Sequence, residues 1–190
     1  EIGYNKGETF WDRFVVRVAP AENNLPYREA SRINIHRDTW GTNLYQQINW
    51  WAPVSNVEEK NTMIFYPDYF DVPVKNTTST WDLNIYLANR KKGDFSYPSA
   101  PQLKEDLPSN IKKIPVTIKP GEILCFSGAH LHSSSKEKSE NTRISFEIRT
   151  ICENDLNSSA QAPNVDCDLQ WKFPKIFKKI NDNSPLKITS

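Results

Sequence analysis

Short segments in which apolar and polar residues alternate recur along the chain, and this period of two is typical of half-buried β-strands. The segments predicted as strands cover residues 14–18, 31–36, 44–51, 63–66, 114–118, 123–126 and 143–151. Lys119-Pro120-Gly121-Glu122 separates the fifth segment from the sixth and predicts a hairpin turn. The pattern therefore predicts a mainly β protein with few helices.

Segment 143–151 divides its side chains sharply between two faces. Apolar and polar residues alternate throughout, with Ile144, Phe146 and Ile148 opposite Arg143, Ser145, Glu147 and Arg149. Segment 31–36 has the same arrangement, with His36 on its polar face. If a wet cavity draws both polar faces inward, the protein is a cavity-bearing barrel, and its apolar outer face must be covered by helices or long loops. The alternative is a pair of edge strands with a solvated face.

Two further segments are predicted from their prolines and from the spacing of their apolar residues. Residues 67–108 contain five prolines and are predicted as a long loop, which we expect to act as a lid. Apolar residues at helical spacing behind Pro174 predict a short amphipathic helix over 173–180. We predict one domain over 1–190, with a barrel core at about 31–151 and a C-terminal linker and short helix over 152–190.

Composition narrows the class of protein. The 190 residues suffice for one domain with a sizeable core, and 13 prolines against 6 glycines suit a β-rich chain with many turns. The net charge of +1 indicates neither a nucleic acid nor a charged membrane surface as partner. No apolar run approaches the roughly 20 residues that cross a bilayer. The three cysteines lack metal-type spacing and are interpreted as reduced thiols of a cytoplasmic protein. The oligomeric state is left open.

All three histidines belong to one candidate metal site. His36 and Asp38, together with a distant histidine, either His130 or His132, can place two imidazoles and one carboxylate on one face of a metal. In an extended strand, residues two apart point the same way, so one strand end can supply both His36 and Asp38. Such a facial triad leaves coordination positions open and is typical of non-heme Fe(II) oxygenases.

A candidate anion clamp follows the distal histidines. Arg143 and Ser145 supply a planar cation and a hydroxyl, the groups needed to hold the far carboxylate of a 2-oxoglutarate cosubstrate. On segment 44–51, Gln47 and Asn49 share one face and are candidate contacts of that cosubstrate. The alternative for both is a structural amide whose hydrogen bonds are satisfied within the protein.

In this order, these pieces resemble the Fe(II)/2-oxoglutarate-dependent dioxygenases, and most closely their phytanoyl-CoA dioxygenase branch. The matching pieces are His36-x-Asp38, the stretch 120–126, His132 followed by two serines, and Arg143 with Ser145. The resemblance implies a double-stranded β-helix, a jelly-roll or cupin-like barrel with a few peripheral helices. It also implies the iron ligands His36, Asp38 and His132, and a 2-oxoglutarate clamp formed by Arg143 with help from Ser145.

The same resemblance implies an enzyme that uses Fe(II) and O₂ to hydroxylate a small-molecule substrate while 2-oxoglutarate is decarboxylated to succinate. One alternative is a cupin-type metalloenzyme without 2-oxoglutarate, in which all three histidines and Asp38 are ligands. Another is a non-catalytic jelly-roll binding protein. The candidate substrate residues are Trp40, Tyr45, Trp51, His130 and Arg149. Clustered tryptophans are more often part of a core, and a surface position is the alternative for the arginine.

Overall fold

The computed structural model describes residues 5–21, 33–94, 96–135, 139–158 and 160–188. The strands in these ranges are β1 (Thr9–Trp11), β2 (Val15–Ala19), β3 (Ile48–Pro53), β4 (Met63–Phe65), β5 (Ile114–Pro115), β6 (Leu124–Ser127), β7 (His132–Ser134), β8 (Arg143–Cys152) and β9 (Lys178–Lys179). The α-helices are α1 (Thr39–Thr42), α2 (Leu83–Lys91) and α3 (Glu153–Ser158), and 3₁₀ turns lie at Glu59–Asn61, Pro67–Tyr69 and Pro174–Ile176. The prediction of a mainly β protein with few helices is confirmed.

The long strand β8 organises the larger of two antiparallel sheets. One edge of β8 pairs with β3, which pairs in turn with β6. The other edge pairs with β2 along 143–147 and with β1 along 150–152, and β9 extends the sheet from β1. The smaller sheet has the order β5-β4-β7. Among the described strands, no ladder joins the two sheets, so they do not form a closed barrel.

Apolar side chains hold the two sheets face to face. Trp51 of β3 and Phe126 of β6 form one buried cluster with Met63 of β4 and Val116, which follows β5. Polar residues of β7 and β8 occupy the neighbouring space between the sheets, where a cavity lies. The polar face of β8 therefore points inward, as its alternation predicts.

The predicted strands agree with the structure best where the alternation is longest. Segment 143–151 forms β8, and segment 14–18 forms β2 with a shift of one residue. The prediction over 44–51 is wrong at its start, because residues 45 and 46 form a turn and β3 begins at Ile48. Residues 31 and 32 lie outside the described residues. His36 pairs with His132 as a single bridge rather than as part of a strand.

The predicted hairpin is wrong in its pairing. Its turn forms, with Gly121 at φ 94° and the Glu122 N–H donating to the Lys119 carbonyl at 3.0 Å. The two arms nevertheless join different sheets, because β5 pairs with β4 while β6 pairs with β3. A local turn signal cannot distinguish this crossing between sheets from a hairpin.

The predicted loop over 67–108 contains a helix, α2. The Asp82 side chain caps α2 by accepting the N–H groups of Asn84 and Ile85. None of the residues of α2 is fully buried, and its contact with the core is through the partly buried Leu83 and Tyr86, so the sequence pattern gives no strong helical signal there.

The predicted C-terminal helix over 173–180 is wrong. A 3₁₀ turn there is followed by β9, which pairs with β1. Phe177 is fully buried beside Phe10 and Leu186, so tertiary packing overrides the helical period. Residues 152–190 are therefore not an external linker and helix, because their described part contributes to the core.

The apolar outer face of β2 and β8 is not covered by helices within the described ranges, which corrects the sequence expectation. Val16 is 58% exposed and Val18 is 49% exposed, while Phe14 stacks on Phe146 with ring centroids 5.1 Å apart. None of the described helices combines the length and apolar character needed to cross a membrane. All three cysteines are free, in agreement with their interpretation as thiols.

Candidate metal centre

His36 and His132 lie side by side because their backbones form a hydrogen-bonded antiparallel pair. The N–H of His36 donates to the carbonyl of His132 at 2.9 Å, and the reverse bond measures 3.0 Å. Residues paired in this way project their side chains from the same face of the ladder. The two imidazole centroids are accordingly 4.4 Å apart.

Backbone carbonyls orient both imidazole rings. Nδ1 of His36 lies 2.8 Å from the carbonyl oxygen of Asn34, and Nδ1 of His132 lies 2.9 Å from that of His130. A proton on each Nδ1 satisfies these carbonyls and leaves each Nε2 lone pair free for a metal. The two Nε2 atoms lie 3.6 and 3.5 Å from the two oxygens of Asp38.

The three side chains meet the distance requirement for a shared metal. Ligand atoms of His36, Asp38 and His132 all lie within 4.8 Å of one another. The sequence predicts that Asp38 lies in an extended strand with His36, and this prediction is wrong. The φ of −64° and ψ of −28° of Asp38 are helical, and the residue directly precedes α1. The chain turns after His36, and the carboxylate still reaches the imidazoles.

A chain of buried amides fixes the Asp38 carboxylate. The Asn49 amide donates to Oδ2 of Asp38, and the Gln47 amide donates to Oδ1 of Asn49 at 2.8 Å. Gln47 in turn accepts from the hydroxyl of Thr42 at 3.1 Å. Gly128 leaves room for this chain, because a Cβ there would lie 2.7 Å from the Gln47 amide nitrogen. Gln47 is therefore engaged by the protein, whereas Asn49 also lines the cavity.

The surroundings of Asp38 and His132 favour the protonation states that bind a metal. Burial alone would raise the pKa of Asp38, but the adjacent imidazoles of His36 and His132 and the positive charge of Arg149 hold this pKa well below its usual value. Burial lowers the pKa of His132 to about 4, so its imidazole is neutral at neutral pH. A carboxylate and a neutral imidazole are the forms that bind a divalent cation.

His130 does not join the ligand group. Its ring packs against Phe70 and Phe65, with centroids 4.5 and 5.5 Å apart, and burial lowers its pKa. Only its carbonyl serves the centre, through Nδ1 of His132. This arrangement gives no support to four ligands drawn from all three histidines and Asp38.

Arg143 and Ser145 present buried polar atoms without partners. Nε of Arg143 and Oγ of Ser145 have no hydrogen bond within the described part of the chain, although the residues are only 3% and 0% exposed. Burial and the nearby charge of Arg17 lower the pKa of Arg143 to about 10. Native proteins rarely leave buried polar groups unsatisfied. Arg143 also lines the cavity between the sheets, whereas Ser145 does not, so it is the guanidinium of Arg143 that fits an anionic ligand bearing oxygen acceptors.

Two cavities that share part of their lining border the centre. An inner chamber of about 30 Å³ lies beside Arg143, and an outer cavity of about 410 Å³ opens beyond it. Both are lined by Arg17, Ile33, His36, Asp38 and Arg149. The metal centre thus lies where the two cavities meet.

The candidate substrate residues fall into two groups. Trp51 lines the inner chamber and Arg149 lines both cavities, whereas Trp40, Tyr45 and His130 line neither. Trp40 is fully buried and donates from its indole to Asp166 at 2.7 Å. Tyr45 lies beside Cys167, and burial raises the pKa of its hydroxyl.

Arg37, which lies between two predicted ligands, was not recognised from the sequence. Its guanidinium is 3% exposed and donates to the carbonyls of Ala129 and Tyr69, each at 2.6 Å, and to Asp166 at 3.2 Å. It thereby fastens the segment of His36 and Asp38 to the turn before His130 and to the C-terminal tail. An arginine that binds backbone carbonyls cannot be recognised from the sequence, because every residue type has a backbone carbonyl.

The fold and the site together define a mainly antiparallel β protein with a His-Asp-His centre able to hold a divalent metal. Similar folds occur among solved structures. The apo structure of the non-heme monooxygenase ThoJ matches with a TM-score of 0.50 and 14% sequence identity, over 77% of this chain and 47% of that one. EvdO2 from Micromonospora carbonacea var. aurantiaca matches with a TM-score of 0.51 and 10% identity, over 76% of this chain and 52% of that one.

The same TM-score and coverage hold for EvdO2 in complex with 2-oxoglutarate. No protein-family model matches the chain, and no curated protein sequence matches it. At these identities the likeness establishes a shared fold. The matched part of the chain spans about half the length of these neighbours.

Proposed function

We propose that this protein is an Fe(II)- and 2-oxoglutarate-dependent oxygenase that hydroxylates a small-molecule substrate. We infer that its two sheets correspond to the double-stranded β-helix of that superfamily, and that it is most similar to the phytanoyl-CoA dioxygenase branch. One observation carries the proposal. A His-Asp-His facial set lies beside a buried arginine and serine whose polar atoms lack partners.

In this proposal, His36, Asp38 and His132 hold the iron. An iron held there would supply the oxidative chemistry, in which O₂ is activated, 2-oxoglutarate is decarboxylated to succinate and CO₂, and one oxygen atom is inserted into a substrate C–H bond. The chain contributes positioning. Backbone carbonyls hold the imidazoles. The series of hydrogen bonds from Thr42 through Gln47 to Asn49 holds the carboxylate.

Arg143 and Ser145 would bind the carboxylate of 2-oxoglutarate that lies away from the metal. The guanidinium offers a planar fork to the carboxylate, and the Ser145 hydroxyl adds a further donor. The inner chamber has room for about two water molecules at its present size, so binding must widen it. The ion pair of Arg17 with Glu147, 2.9 Å from Nε to Oε2, lines the chamber and is the group we expect to move.

The structural neighbours support the proposal, because ThoJ is a non-heme monooxygenase and EvdO2 has been crystallised with 2-oxoglutarate. The near-neutral net charge and the free thiols favour a small-molecule enzyme of a reducing compartment, and we propose a cytoplasmic location without nucleic acid or membrane partners. A four-ligand cupin enzyme is disfavoured by the separate environment of His130.

Anaerobic titration tests the proposal. Fe(II)-loaded protein is titrated with 2-oxoglutarate, and a weak visible charge-transfer band is expected when the cosubstrate chelates the metal. Slow conversion of 2-oxoglutarate to succinate on admission of O₂ would support oxygenase chemistry. A metal-loaded protein that shows neither the band nor succinate would contradict the proposal and favour the cupin or binding-protein alternative.

A further inference from the structure

The outer cavity has two chemically different ends. Arg149 lines both cavities and therefore stands at the metal end, together with Arg17. Trp81, Tyr86 and Phe173 line only the outer cavity and supply aromatic surface. An occupant that satisfies both ends must carry a polar group near the metal and an apolar body farther out.

Arg149 is held in a fixed position for binding an anion. Its Nε donates to Oδ2 of Asp12 at 2.6 Å, and its backbone N–H donates to Oδ1 of the same carboxylate at 2.8 Å. The Asp12 side chain is only 2% exposed, so it anchors the arginine from behind. The two terminal nitrogens of Arg149 have no hydrogen bond to any described residue, and the residue lines both cavities. A guanidinium anchored through Nε keeps a fork of donors that matches a carboxylate or a phosphate.

The charges around the cavity favour an anion. Arg37 is paired with Asp166, Arg17 with Glu147 and Arg149 with Asp12, while Arg13 at the cavity wall forms no ion pair with described residues. Among the described residues of the lining, the remaining carboxylate is Asp38, whose charge is compensated when a divalent cation is bound. The described lining then carries an excess of positive charge, which disfavours a cationic occupant.

We propose that the outer cavity binds an organic anion, a carboxylate or phosphate monoester with an apolar or aromatic body. Its charged group lies on Arg149, with Arg13 nearby, and its body packs against Trp81, Tyr86 and Phe173. That this anion is the oxidised substrate rests on the proposed function, whereas its binding does not.

The experiment compares 3-phenylpropanoate with its neutral amide, 3-phenylpropanamide, in ligand-observed NMR titrations of the Zn(II)-loaded protein, in which the charge of Asp38 is compensated. The acid should bind at least about 10-fold more tightly, because hydrogen bonds to charged groups exceed neutral ones by this order. Arg149→Met should abolish the preference and leave amide binding unchanged. The preference should persist in Lys75→Met, which removes an exposed cation outside the cavity, and in Arg143→Met, which removes an arginine that lines only the inner chamber.

Arg149→Met leaves the buried Asp12 carboxylate without its cation and can impair folding. The double variant Asp12→Asn/Arg149→Met removes that charge and should give the same loss of preference. Equal affinity of the acid and the amide for wild-type protein would overturn the inference. So would loss of the preference in Arg143→Met, or loss of 2-oxoglutarate binding in Arg149→Met. Anion binding without the Fe(II)–2-oxoglutarate band would leave this site standing and contradict only the oxygenase proposal.

Discussion

His36 and His132 exchange two backbone hydrogen bonds across a single antiparallel bridge, and this pairing brings together two of the three ligands of the candidate metal centre. Both rings are also held at Nδ1 by carbonyls two residues earlier in the chain. Metal geometry therefore depends on the register of β7 against residues 34–36, because a shift by one residue would turn His132 to the opposite face.

We expect His36→Ala and His132→Ala to lose tight metal binding, whereas His130→Ala retains it. Loss of a residue that supports a ligand already costs roughly 10–100-fold in affinity, so loss of a ligand should cost more. The His130 carbonyl, which orients His132, is unaffected by a change of side chain. Anaerobic Co(II) titration, followed by absorption, measures the three affinities. Equal losses in His130→Ala and His132→Ala would favour the four-ligand cupin site.

Gly128→Ala should destabilise the protein and weaken metal binding together. Its new Cβ would meet the buried Gln47 amide, whose movement breaks the hydrogen bond that positions Asn49 against Asp38. We expect a loss of about 1–3 kcal/mol in the free energy of unfolding, as for other overpacked cores. Chemical denaturation and Co(II) titration measure the two effects.

Gly41→Ala is the matched control for that substitution. A Cβ on Gly41 meets nothing within 4 Å, and the residue lies in α1, so alanine should be neutral or stabilising by up to about 1 kcal/mol. Gln47→Ala in the Gly128→Ala background should recover part of the lost stability by removing the clash. Similar losses of stability and metal affinity in Gly41→Ala and Gly128→Ala would contradict the role assigned to the hydrogen-bonded amides of Gln47 and Asn49.

The sequence predicted the parts of the fold in which one strand face is uniformly polar. Segment 143–151 became β8, because its strict alternation allows one register that directs charges into the cavity. It did not predict β9 or the route of residues 115–124, since those depend on which partner strand is nearest after folding. Phe177 illustrates the limit, because its helical spacing was outweighed by burial against Phe10.

The site was predictable where chemistry requires particular residue types. The structure brings His36, Asp38 and His132 together, and the roles proposed for them remain predictions. The support for the site was not predictable, because it uses carbonyls and amides. The sequence offers Gln47 and Asn49 either as cosubstrate contacts or as structural amides, and the structure joins them to each other and to Asp38.

Arg37→Met should be strongly destabilising. It removes the cation from the buried Asp166 carboxylate, and it removes the hydrogen bonds to four carbonyls that fasten the segment carrying the metal ligands. Breaking a buried pair from one side costs about 3–5 kcal/mol. Asp166→Asn in the same background should recover part of this loss, as measured by urea denaturation.

The exposed pair of Lys75 with Glu105 provides the comparison for Arg37. Its atoms are 2.7 Å apart, but the two side chains are 70% and 62% exposed. Lys75→Met should cost about 0–1 kcal/mol, because solvent screens the exposed charges. A cost for Arg37→Met as small as that for Lys75→Met would mean that Arg37 does not fasten the metal segment.

Arg143→Met should separate ligand binding from folding stability. The pKa of Arg143 is lowered to about 10, so the folded state disfavours its charged form, and removal of the charge should leave the metal-free protein as stable as wild type or more stable. Methionine keeps an apolar contact with Trp51, over whose ring the guanidinium lies at 5.7 Å.

With Zn(II) bound, 2-oxoglutarate should stabilise wild type by about 2.7 kcal/mol at 100 times its Kd. The variant should lose roughly 100-fold or more in affinity, since each hydrogen bond to a charged group contributes about 1.5–3 kcal/mol. Arg143→Lys keeps the charge without the fork and should fall between the two. Denaturation with and without 2-oxoglutarate measures all three proteins, and undiminished stabilisation of Arg143→Met by 2-oxoglutarate would place the cosubstrate elsewhere.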